Sequence, residues 1–178
     1  SSLLSFSRQS GGAFSAIDLD TALATALPLI EAQACVQCVK VESTVSTPGL
    51  KLHGDAGQLQ QVLVNLCGNA IDAMPGGGKV TVRVGLCASK PGYVEILVSD
   101  TGSGIPMEIQ SKIFDPFFTT KALGKGTGLG LSLVHEIVTR HSGSITFESS
   151  PDIGTTFLIQ LPLSPRTNQH HREPGANQ

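Results

Sequence analysis

The sequence predicts an α+β fold in which strands and helices are mixed along one domain. Some runs of apolar residues alternate with polar ones, as in half-buried strands, whereas others recur at helical spacing. The chain has 178 residues, 40% of them apolar, which suffices for one core that needs no disulfide or metal. The sequence contains no repeat at a useful period, so we expect a single folding unit.

The first part of the chain is predicted to contain three short strands and one long helix. Asp20 is predicted to cap the helix, which runs to about Gln37 with Pro28 as a kink or boundary. A Thr-Pro-Gly turn separates the second strand from the third. The predicted strands are residues 16–19, 39–45 and 50–53.

A second helix is predicted from Asp55 to the residue before a Pro-Gly-Gly-Gly run. Two alternating segments then form a predicted antiparallel pair at residues 79–86 and 93–98. Residues 100–130 are rich in Gly, Thr and Lys, with one short predicted helix near 107–114, and so long an interior stretch indicates a mobile functional loop. The last predicted elements are a helix at 129–141 and strands at 144–148 and 155–161.

Charge and hydropathy exclude several classes of protein. The formal net charge is −2 and only 15% of the residues are charged, so the chain lacks the basic field that non-specific nucleic-acid binding requires. Its apolar runs are shorter than the roughly 20 residues that span a bilayer, and no signal-peptide pattern opens the chain. We therefore expect a soluble, cytoplasmic domain with no nucleic-acid partner, followed by a flexible polar tail at residues 164–178.

Four cysteines are present, and two of them form a Cys-x-x-Cys motif at Cys35 and Cys38. This motif is compatible with redox activity or with half of a zinc site. No second pair follows at zinc-finger spacing, and Cys67 and Cys87 lie among apolar neighbours, where a thiol behaves as a small hydrophobe. We expect all four to be reduced packing residues.

The second predicted helix carries a polar stripe. Asn65, Asn69 and Asp72 recur at spacings of four and three residues, which places them on one side of a helix. An apolar arc lies beside them. The stripe faces either solvent or a polar cavity, and the neighbouring motifs decide between the two.

Asp100 ends an apolar strand and is followed at once by Gly102 and Gly104. These glycines allow a ligand to approach the backbone, and the carboxylate can accept a hydrogen bond from an exocyclic amine. Asp-x-Gly sequences are also common in ordinary turns, so this motif alone leaves both interpretations open.

A glycine run, Gly-Lys-Gly-Thr-Gly-Leu-Gly at residues 124–130, ends where a helix is predicted to begin. Backbone amides at such a point bind phosphate oxygens, and Lys121 and Lys125 can add positive charge. The spacing fits neither a Walker A loop nor a Rossmann motif, because Gly126 follows Lys125 and Leu129 stands where the third Rossmann glycine belongs.

In this order, the motifs resemble the nucleotide-binding boxes of the superfamily that contains gyrase, Hsp90, histidine kinases and MutL. The polar stripe resembles the N box, residues 100–106 the first glycine box, residues 113–121 the F box and residues 124–131 the second glycine box. Four boxes in order are far more specific than any one of them. The resemblance covers residues 14–163 and implies a Bergerat-type two-layer sandwich: a mixed, mainly antiparallel sheet, three main helices and a flexible ATP lid.

The resemblance also implies roles for single residues. Asn69 would bind the Mg²⁺ that bridges the ATP phosphates, with Asn65 close by, and Asp100 would bind the adenine amine with Thr155 assisting. Phe114, Phe117 and Phe118 would anchor the base of the lid, although core packing also explains phenylalanines. The implied catalytic residues are Asn65, Asn69 and Lys125. The implied nucleotide-binding residues are Asn69, Asp72, Asp100, Gly102, Gly104, Ile105, Phe117, Lys121, Gly126, Thr127, Gly128, Leu129, Gly130 and Thr155.

Asn65 favours one branch of the superfamily. The hydrolysing members carry a glutamate at this position to activate water, and an asparagine cannot take a proton. The sequence therefore resembles the catalytic domain of a bacterial two-component sensor histidine kinase more than a gyrase-type or Hsp90-type ATPase. A serine kinase of the anti-sigma type and a module that only binds nucleotide remain alternatives.

The histidine that accepts the phosphate is expected outside this chain. His135 begins a His-Glu pair, but Thr139 stands where the acceptor motif needs Arg or Pro. A structural or solvated role is expected for every histidine present. Residues 1–12 resemble the end of a dimerisation helix and its linker, which leaves residues 13–163 as the catalytic domain. We expect a monomeric fragment that binds ATP and Mg²⁺ without phosphorylating itself, and a dimeric parent whose partner is a response regulator.

Overall fold

A five-stranded sheet forms one layer of this computed structural model, which describes residues 14–120 and 127–163. The strands are β1 (Ser15–Asp18), β2 (Val39–Val45), β3 (Lys51–Gly54), β4 (Gly78–Leu86), β5 (Tyr93–Asp100), β6 (Ser144–Ser150) and β7 (Gly154–Pro162). The strand order in the sheet is β2-β4-β5-β7-β6. Strands β2 and β4 run parallel and the other pairs run antiparallel, so the predicted mixed, mainly antiparallel sheet is confirmed. The short strands β1 and β3 pair separately.

Helices α1 (Leu19–Val36), α2 (Ala56–Asp72) and α4 (Gly130–Arg140) form the second layer, and a single turn, α3 (Met107–Gln110), lies between α2 and α4 in the chain. Alternate residues of the central strands, such as Val82 and Val98, are at most 1% exposed. They belong to one core with the apolar sides of the helices, including Ile30, Leu66 and Val134. The sandwich and its three main helices agree with the prediction.

The start of α1 differs from the prediction. Asp18, not Asp20, caps the helix: its Oδ1 accepts hydrogen bonds from the backbone N–H groups of Asp20 (3.0 Å) and Thr21 (3.2 Å). Asp20 instead accepts the N–H of Gly49 at 2.8 Å and so joins the helix to the turn that precedes β3. Aspartate is a favoured capping residue, so the sequence alone does not distinguish Asp18 from Asp20. Asp18 has the extended backbone of a cap residue, whereas Asp20 lies in the first turn of the helix.

Pro28 neither ends nor bounds α1, which continues to Val36. A proline inside a helix removes one hydrogen bond and leaves the carbonyl four residues earlier without its partner. That residue is Ala24, which is exposed, so water can satisfy the carbonyl. Helix α1 has 18 residues and a mean hydropathy of 1.2. By length and composition only, it is long and apolar enough to cross a membrane. Ala26 and Ile30 are fully buried in the core, and 33% of the 18-residue window is buried.

The prediction for the cysteines is half correct. Cys67 and Cys87 are buried, but Cys35 and Cys38 are exposed and do not pack in the core. Cys35 lies on the exposed side of α1, and Cys38 is exposed in the turn before β2. The helix predicted near 107–114 is shorter than expected, because only Met107–Gln110 is helical. The predicted linker at 1–12 and tail at 164–178 lie outside the described residues.

His141 connects the end of α4 to the start of α2. Its Nδ1 lies 2.8 Å from the carbonyl oxygen of Ile137, and its Nε2 lies 3.0 Å from the backbone nitrogen of Asp55. Since the Asp55 N–H can only donate, Nε2 accepts and Nδ1–H donates, which fixes one neutral tautomer. The side chain is 4% exposed. His141 is therefore a structural joint between the two helices.

Replacing His141 with Ala is expected to lower the free energy of unfolding by about 3 kcal/mol. The change opens a cavity and leaves the buried Asp55 N–H without its acceptor. Urea denaturation followed by circular dichroism measures the loss. His53→Ala is the matched control, because His53 is exposed and contacts the ring of Phe14, and we expect its effect to stay within about 0.5 kcal/mol. Equal effects of the two substitutions would contradict the structural role of His141.

Candidate functional site

A cavity of about 630 Å³ opens beside α2. Its walls come from α2, the segment after β5, the F-box segment, the start of α4 and the start of β7. This volume lies in the usual range for small-molecule and cofactor sites. Ten of the predicted site residues line the cavity: Asn65, Asn69, Asp72, Asp100, Gly104, Ile105, Thr127, Gly128, Gly130 and Thr155.

Helix α2 presents its polar stripe to this cavity. The helix begins beside Asp55, as the sequence predicts, and Asp55 caps it by accepting the N–H of Gln58 at 3.1 Å. One side of the helix buries Leu59, Val62 and Leu66 in the core, which turns the neighbouring stripe of Asn65, Asn69 and Asp72 toward the cavity wall. Of the two possibilities open at the sequence level, the structure thus selects a polar cavity over a stripe that only meets solvent.

Asp100 lies where β5 ends, and two backbone groups hold its carboxylate in place. Oδ1 accepts the N–H of Gly102 at 2.8 Å and the N–H of Thr155 at 3.2 Å. Burial raises the pKa of Asp100 above its ordinary value of 3.8, although these two hydrogen bonds act in the opposite direction. Because Oδ1 is engaged, Oδ2 is the oxygen suited to accept a hydrogen bond from a ligand.

Ser149 and Gln110 support the same end of the cavity, and sequence reasoning missed both. The Ser149 hydroxyl accepts the N–H of Ile105 at 2.8 Å and lies 2.9 Å from the Thr155 hydroxyl. The Gln110 side-chain amide donates to the carbonyl oxygens of Ile105 (2.9 Å) and Ser149 (3.3 Å). No sequence signal identifies them, because a serine in a strand and a glutamine in a short helix are ordinary residues.

Gly104 is required where the first glycine box meets the turn after β6. Its φ of +70° is a left-handed conformation that favours glycine. A Cβ at this position would collide with the carbonyl oxygen of Ser150. The close contact of these two segments forms one wall of the cavity, to which Gly104 itself contributes.

The second glycine box begins against the F-box backbone. Gly128 has a φ of +67°, and a Cβ there would lie 2.7 Å from the carbonyl oxygen of Phe117. The ring of Phe117 is 75% exposed, whereas Phe118 lines the cavity. The backbone of Phe117 lies against the second glycine box, whereas its exposed ring does not line the cavity. Nucleotide binding by Phe117 stays a prediction.

Helix α4 starts next to Asn65. A Cβ on Gly130, the first residue of the helix, would lie 3.8 Å from Asn65 Oδ1. Among the residues that the structure describes, no side chain caps this helix, so none of them uses the amide groups of its first turn as a capping residue would. Such amides suit an anionic ligand such as a phosphate.

Three predicted site residues do not line the cavity, and three more lie outside the described residues. Gly102 packs against α2, where a Cβ would lie 2.8 Å from the Cβ of Ala73, and Leu129 is 41% exposed. Phe117 is the third of these. The three that lie outside the described residues are Lys121, Lys125 and Gly126. Their roles stay predictions.

The cavity offers oxygen ligands of the kind that Mg²⁺ prefers, as the resemblance implies. Within the described residues, no group of three His, Cys, Asp or Glu side chains is placed to hold a metal alone. Mg²⁺ commonly keeps several waters and is bound through substrate phosphates plus one or two protein oxygens. The carboxamide oxygens of Asn65 and Asn69 and the carboxylate of Asp72 supply suitable hard ligands on one wall.

Comparison with known proteins decides the family. Residues 54–165 match the family described as histidine kinase-, DNA gyrase B-, and HSP90-like ATPases. The chain belongs to this family. The resemblance seen in the four sequence boxes is thereby confirmed.

The curated relatives of this family member are sensor kinases. Sensor kinase CckA of Brucella abortus is 41% identical over 172 residues, which cover 90% of this chain and 18% of that protein. The histidine-protein kinase AtoS of Escherichia coli is 35% identical over 167 residues, 94% of this chain and 27% of that protein. The chain thus spans about a fifth to a quarter of the length of these relatives.

Solved structures place the fold among histidine kinase catalytic domains. The catalytic domain of histidine kinase ThkA is 31% identical, with a TM-score of 0.74, over 86% of this chain and 100% of that one. ThkA in complex with the response regulator TrrA is 27% identical, with a TM-score of 0.72, over 93% of this chain and 46% of that one. The family member described here is therefore a catalytic domain of the histidine kinase type.

Proposed function

We propose that this domain binds ATP with Mg²⁺ in the cavity beside α2 and delivers the γ-phosphate to a histidine on the dimerisation domain of its parent protein. The phosphate then passes to the receiver domain of a response regulator. Asn65 supports the choice of transfer over hydrolysis, because it lines the cavity beside the start of α4 and has no titratable oxygen to activate water. The kinase relatives support the same choice.

The orientation of ATP follows from the two ends of the cavity. Asp100 and Thr155 meet at one end and offer a carboxylate oxygen and a hydroxyl, which suit the adenine amine and a bridging water. Gly128 and Gly130 lie at the other end with the uncapped start of α4, which suits the phosphates. Adenine therefore lies at Asp100 and the γ-phosphate near Asn65.

Catalysis is mainly a matter of position and charge. Bound Mg²⁺ would neutralise negative charge on the phosphates, with Asn69 as its protein ligand and Asn65 and Asp72 beside it. The amides at the start of α4 hold the phosphates toward the open side of the cavity, and Lys125 is proposed to add charge there. During transfer, a bond forms between the acceptor nitrogen and the γ-phosphorus while the bond to the leaving ADP oxygen breaks.

The described histidines are unsuited to accept the phosphate. Both ring nitrogens of buried His141 are hydrogen-bonded. His135 packs its ring 5.5 Å from that of Phe114, and His53 lies beside Phe14. None of the three lines the cavity. The acceptor is therefore proposed to come from the dimerisation domain, in a homodimeric parent whose catalytic domain works in the cytoplasm.

The test is transfer to a separately produced phosphoacceptor domain of the parent protein. With radiolabelled ATP and Mg²⁺, we expect acid-labile, base-stable label on the acceptor histidine and none on this chain. Label on a serine would instead indicate an anti-sigma-type kinase. ATP hydrolysis by this chain alone, abolished by Asn65→Ala, would indicate an ATPase, and ATP binding without transfer would indicate a module that only binds.

The affinity for adenosine is expected to fall as the pH is lowered toward the raised pKa of Asp100. Protonation at Oδ2 would put a donor where the adenine amine needs an acceptor, and burial raises the pKa of Asp100 above the ordinary 3.8. Adenosine is the probe because it has no phosphate that titrates. Calorimetric titration across pH 4 to about 7 measures the effect. Asp100→Asn should lack this step, and an affinity of the unchanged domain that stays constant down to about pH 4 would contradict the assignment.

A further inference from the structure

Two exposed thiols lie three residues apart at the end of α1. Cys35 is in the last turn of the helix, and Cys38 is in the turn that leads to β2. Both are exposed and free, whereas Cys67 and Cys87 are buried. The nucleotide cavity does not use either exposed thiol.

The backbone brings these two cysteines within bridging distance. The N–H of Cys38 donates to the carbonyl oxygen of Cys35 at 3.3 Å, which closes a four-residue turn. The ends of such a turn have Cα atoms less than about 7 Å apart, and most disulfides join Cα atoms about 4.4–6.8 Å apart. The turn lies at an exposed helix end, where a small adjustment of the last residues is inexpensive.

The surroundings favour a bond between the two thiols over a metal site. Among the residues that the structure describes, no third metal-ligating side chain joins the pair. A tetrahedral zinc site needs four ligands, so two thiols alone do not form one. Two exposed thiols in one short turn can instead react with each other through a small disulfide.

The buried cysteines differ in both access and chemistry. Burial raises the pKa of the Cys67 thiol to about 12, so at neutral pH it is almost entirely protonated and a poor nucleophile. The Cys87 sulfur is enclosed by polar neighbours: the Gln160 side-chain nitrogen at 3.1 Å and the Ser89 hydroxyl at 3.3 Å. Thiol exchange is thus directed to the pair at the end of α1.

The dithiol turn lies outside the functional site and is connected to it only through intermediate residues. A Cβ on Gly77 would lie 3.0 Å from the Cys38 carbonyl oxygen, and the Gly77 N–H donates to the Met74 carbonyl at 3.0 Å. The Thr101 hydroxyl lies 3.5 Å from the Met74 sulfur. A chain of contacts therefore links the turn to Thr101, the residue that follows Asp100.

We propose that Cys35 and Cys38 are a redox modification site that closes to an intrachain disulfide by exchange with a small disulfide such as oxidised glutathione. One cysteine sulfur attacks the glutathione disulfide and releases one glutathione thiol. The second cysteine sulfur then displaces the remaining glutathione, so the Cys35–Cys38 bond forms as the glutathione S–S bond is lost. The two cysteine protons end on the two glutathione thiols. In a reducing cytosol the pair rests as a dithiol.

Peptide mass spectrometry tests the proposal, because trypsin places Cys35 and Cys38 in one peptide and Cys67 and Cys87 in two others. The pair lies in the peptide of residues 9–40, Cys67 in that of residues 52–79, and Cys87 in that of residues 84–112, since Lys90 precedes a proline. After treatment with oxidised glutathione, denaturation and alkylation, we expect the first peptide to lose two hydrogen atoms and take no alkyl group. The other two peptides should be alkylated, and dithiothreitol should reverse the change.

Two single variants provide the matched controls. Cys35→Ser and Cys38→Ser each remove the resolving thiol, so each should retain one glutathione on the remaining cysteine. Stable glutathione on both cysteines of the unchanged chain would overturn the proposal, because it means that the turn does not allow closure. Preferential oxidation of Cys67 or Cys87 would also overturn it. Neither readout depends on nucleotide binding, so this test is independent of the proposed function.

Discussion

Asp100→Asn is expected to lower the affinity of the domain for ATP by about 100-fold. The asparagine carbonyl can take the place of Oδ1 and keep the hydrogen bonds from Gly102 and Thr155, so its NH₂ group replaces the oxygen that faces the adenine amine. Two donors then meet, and a hydrogen bond to a charged group worth about 1.5–3 kcal/mol is lost. Isothermal titration calorimetry measures the change.

Inosine triphosphate supplies the matched ligand for this variant. Its base carries an oxygen where adenine carries the amine, so the new NH₂ group of Asp100→Asn can donate to it. The unchanged domain should prefer ATP, and the variant should lose or reverse that preference. An unchanged preference would mean that Asp100 does not contact the base. The melting temperature controls for folding, since the two backbone hydrogen bonds to the side chain are retained.

Asn69→Ala is expected to slow phosphoryl transfer to the acceptor by about 100-fold or more. The substitution removes the carboxamide oxygen proposed to bind Mg²⁺, and loss of charge stabilisation at transferring phosphates costs several kcal/mol. Single-turnover transfer to the phosphoacceptor domain measures the rate. Affinity for adenosine should change less than about two-fold, because Asn69 is proposed to act at the phosphates and not at the base.

Gln61→Ala is the control for this prediction. Gln61 lies on the same helix and does not line the cavity, so its truncation should leave transfer unchanged. Equal losses in the two variants would indicate a general effect on α2. A normal transfer rate in Asn69→Ala would contradict the role assigned to its carboxamide.

Several features of the fold follow from local signals in the sequence. Helix α2 begins beside Asp55 as predicted, and the apolar and polar arcs of that helix face the core and the cavity. Alternation identified β4 and β5, although both extend slightly beyond the predicted ends. These predictions succeeded because capping and periodicity depend on residues close together in the chain.

Other features depend on distant contacts that the sequence does not encode locally. The choice of cap between Asp18 and Asp20 depends on where the pairing of β1 with β3 ends. Asp20 instead accepts the N–H of Gly49. The inward position of Phe118 and the outward ring of Phe117 depend on a backbone turn with positive φ at Phe117. The exposure of the Cys-x-x-Cys pair depends on how α1 packs.

The side chains that support the proposed adenine end of the cavity also depend on contacts between residues distant in the sequence. Ser149 joins the segment after β5 to β7, and this contact is created by the pairing of β6 with β7. Four ordered boxes predict nucleotide-binding residues by resemblance, but they contain no information on such supporting side chains. Sequence reasoning therefore identifies most of the cavity wall and misses the hydrogen bonds that hold it.

The most direct test of the account is a nuclear magnetic resonance titration of the ¹⁵N-labelled domain. Adenosine is expected to shift the backbone amides of Gly102 and Thr155, which donate to Asp100. ATP with Mg²⁺ should shift these and also the amides of Gly128 and Gly130. Shifts confined to other surfaces, or equal shifts at the two glycines with adenosine and with ATP, would contradict the proposed position of the nucleotide.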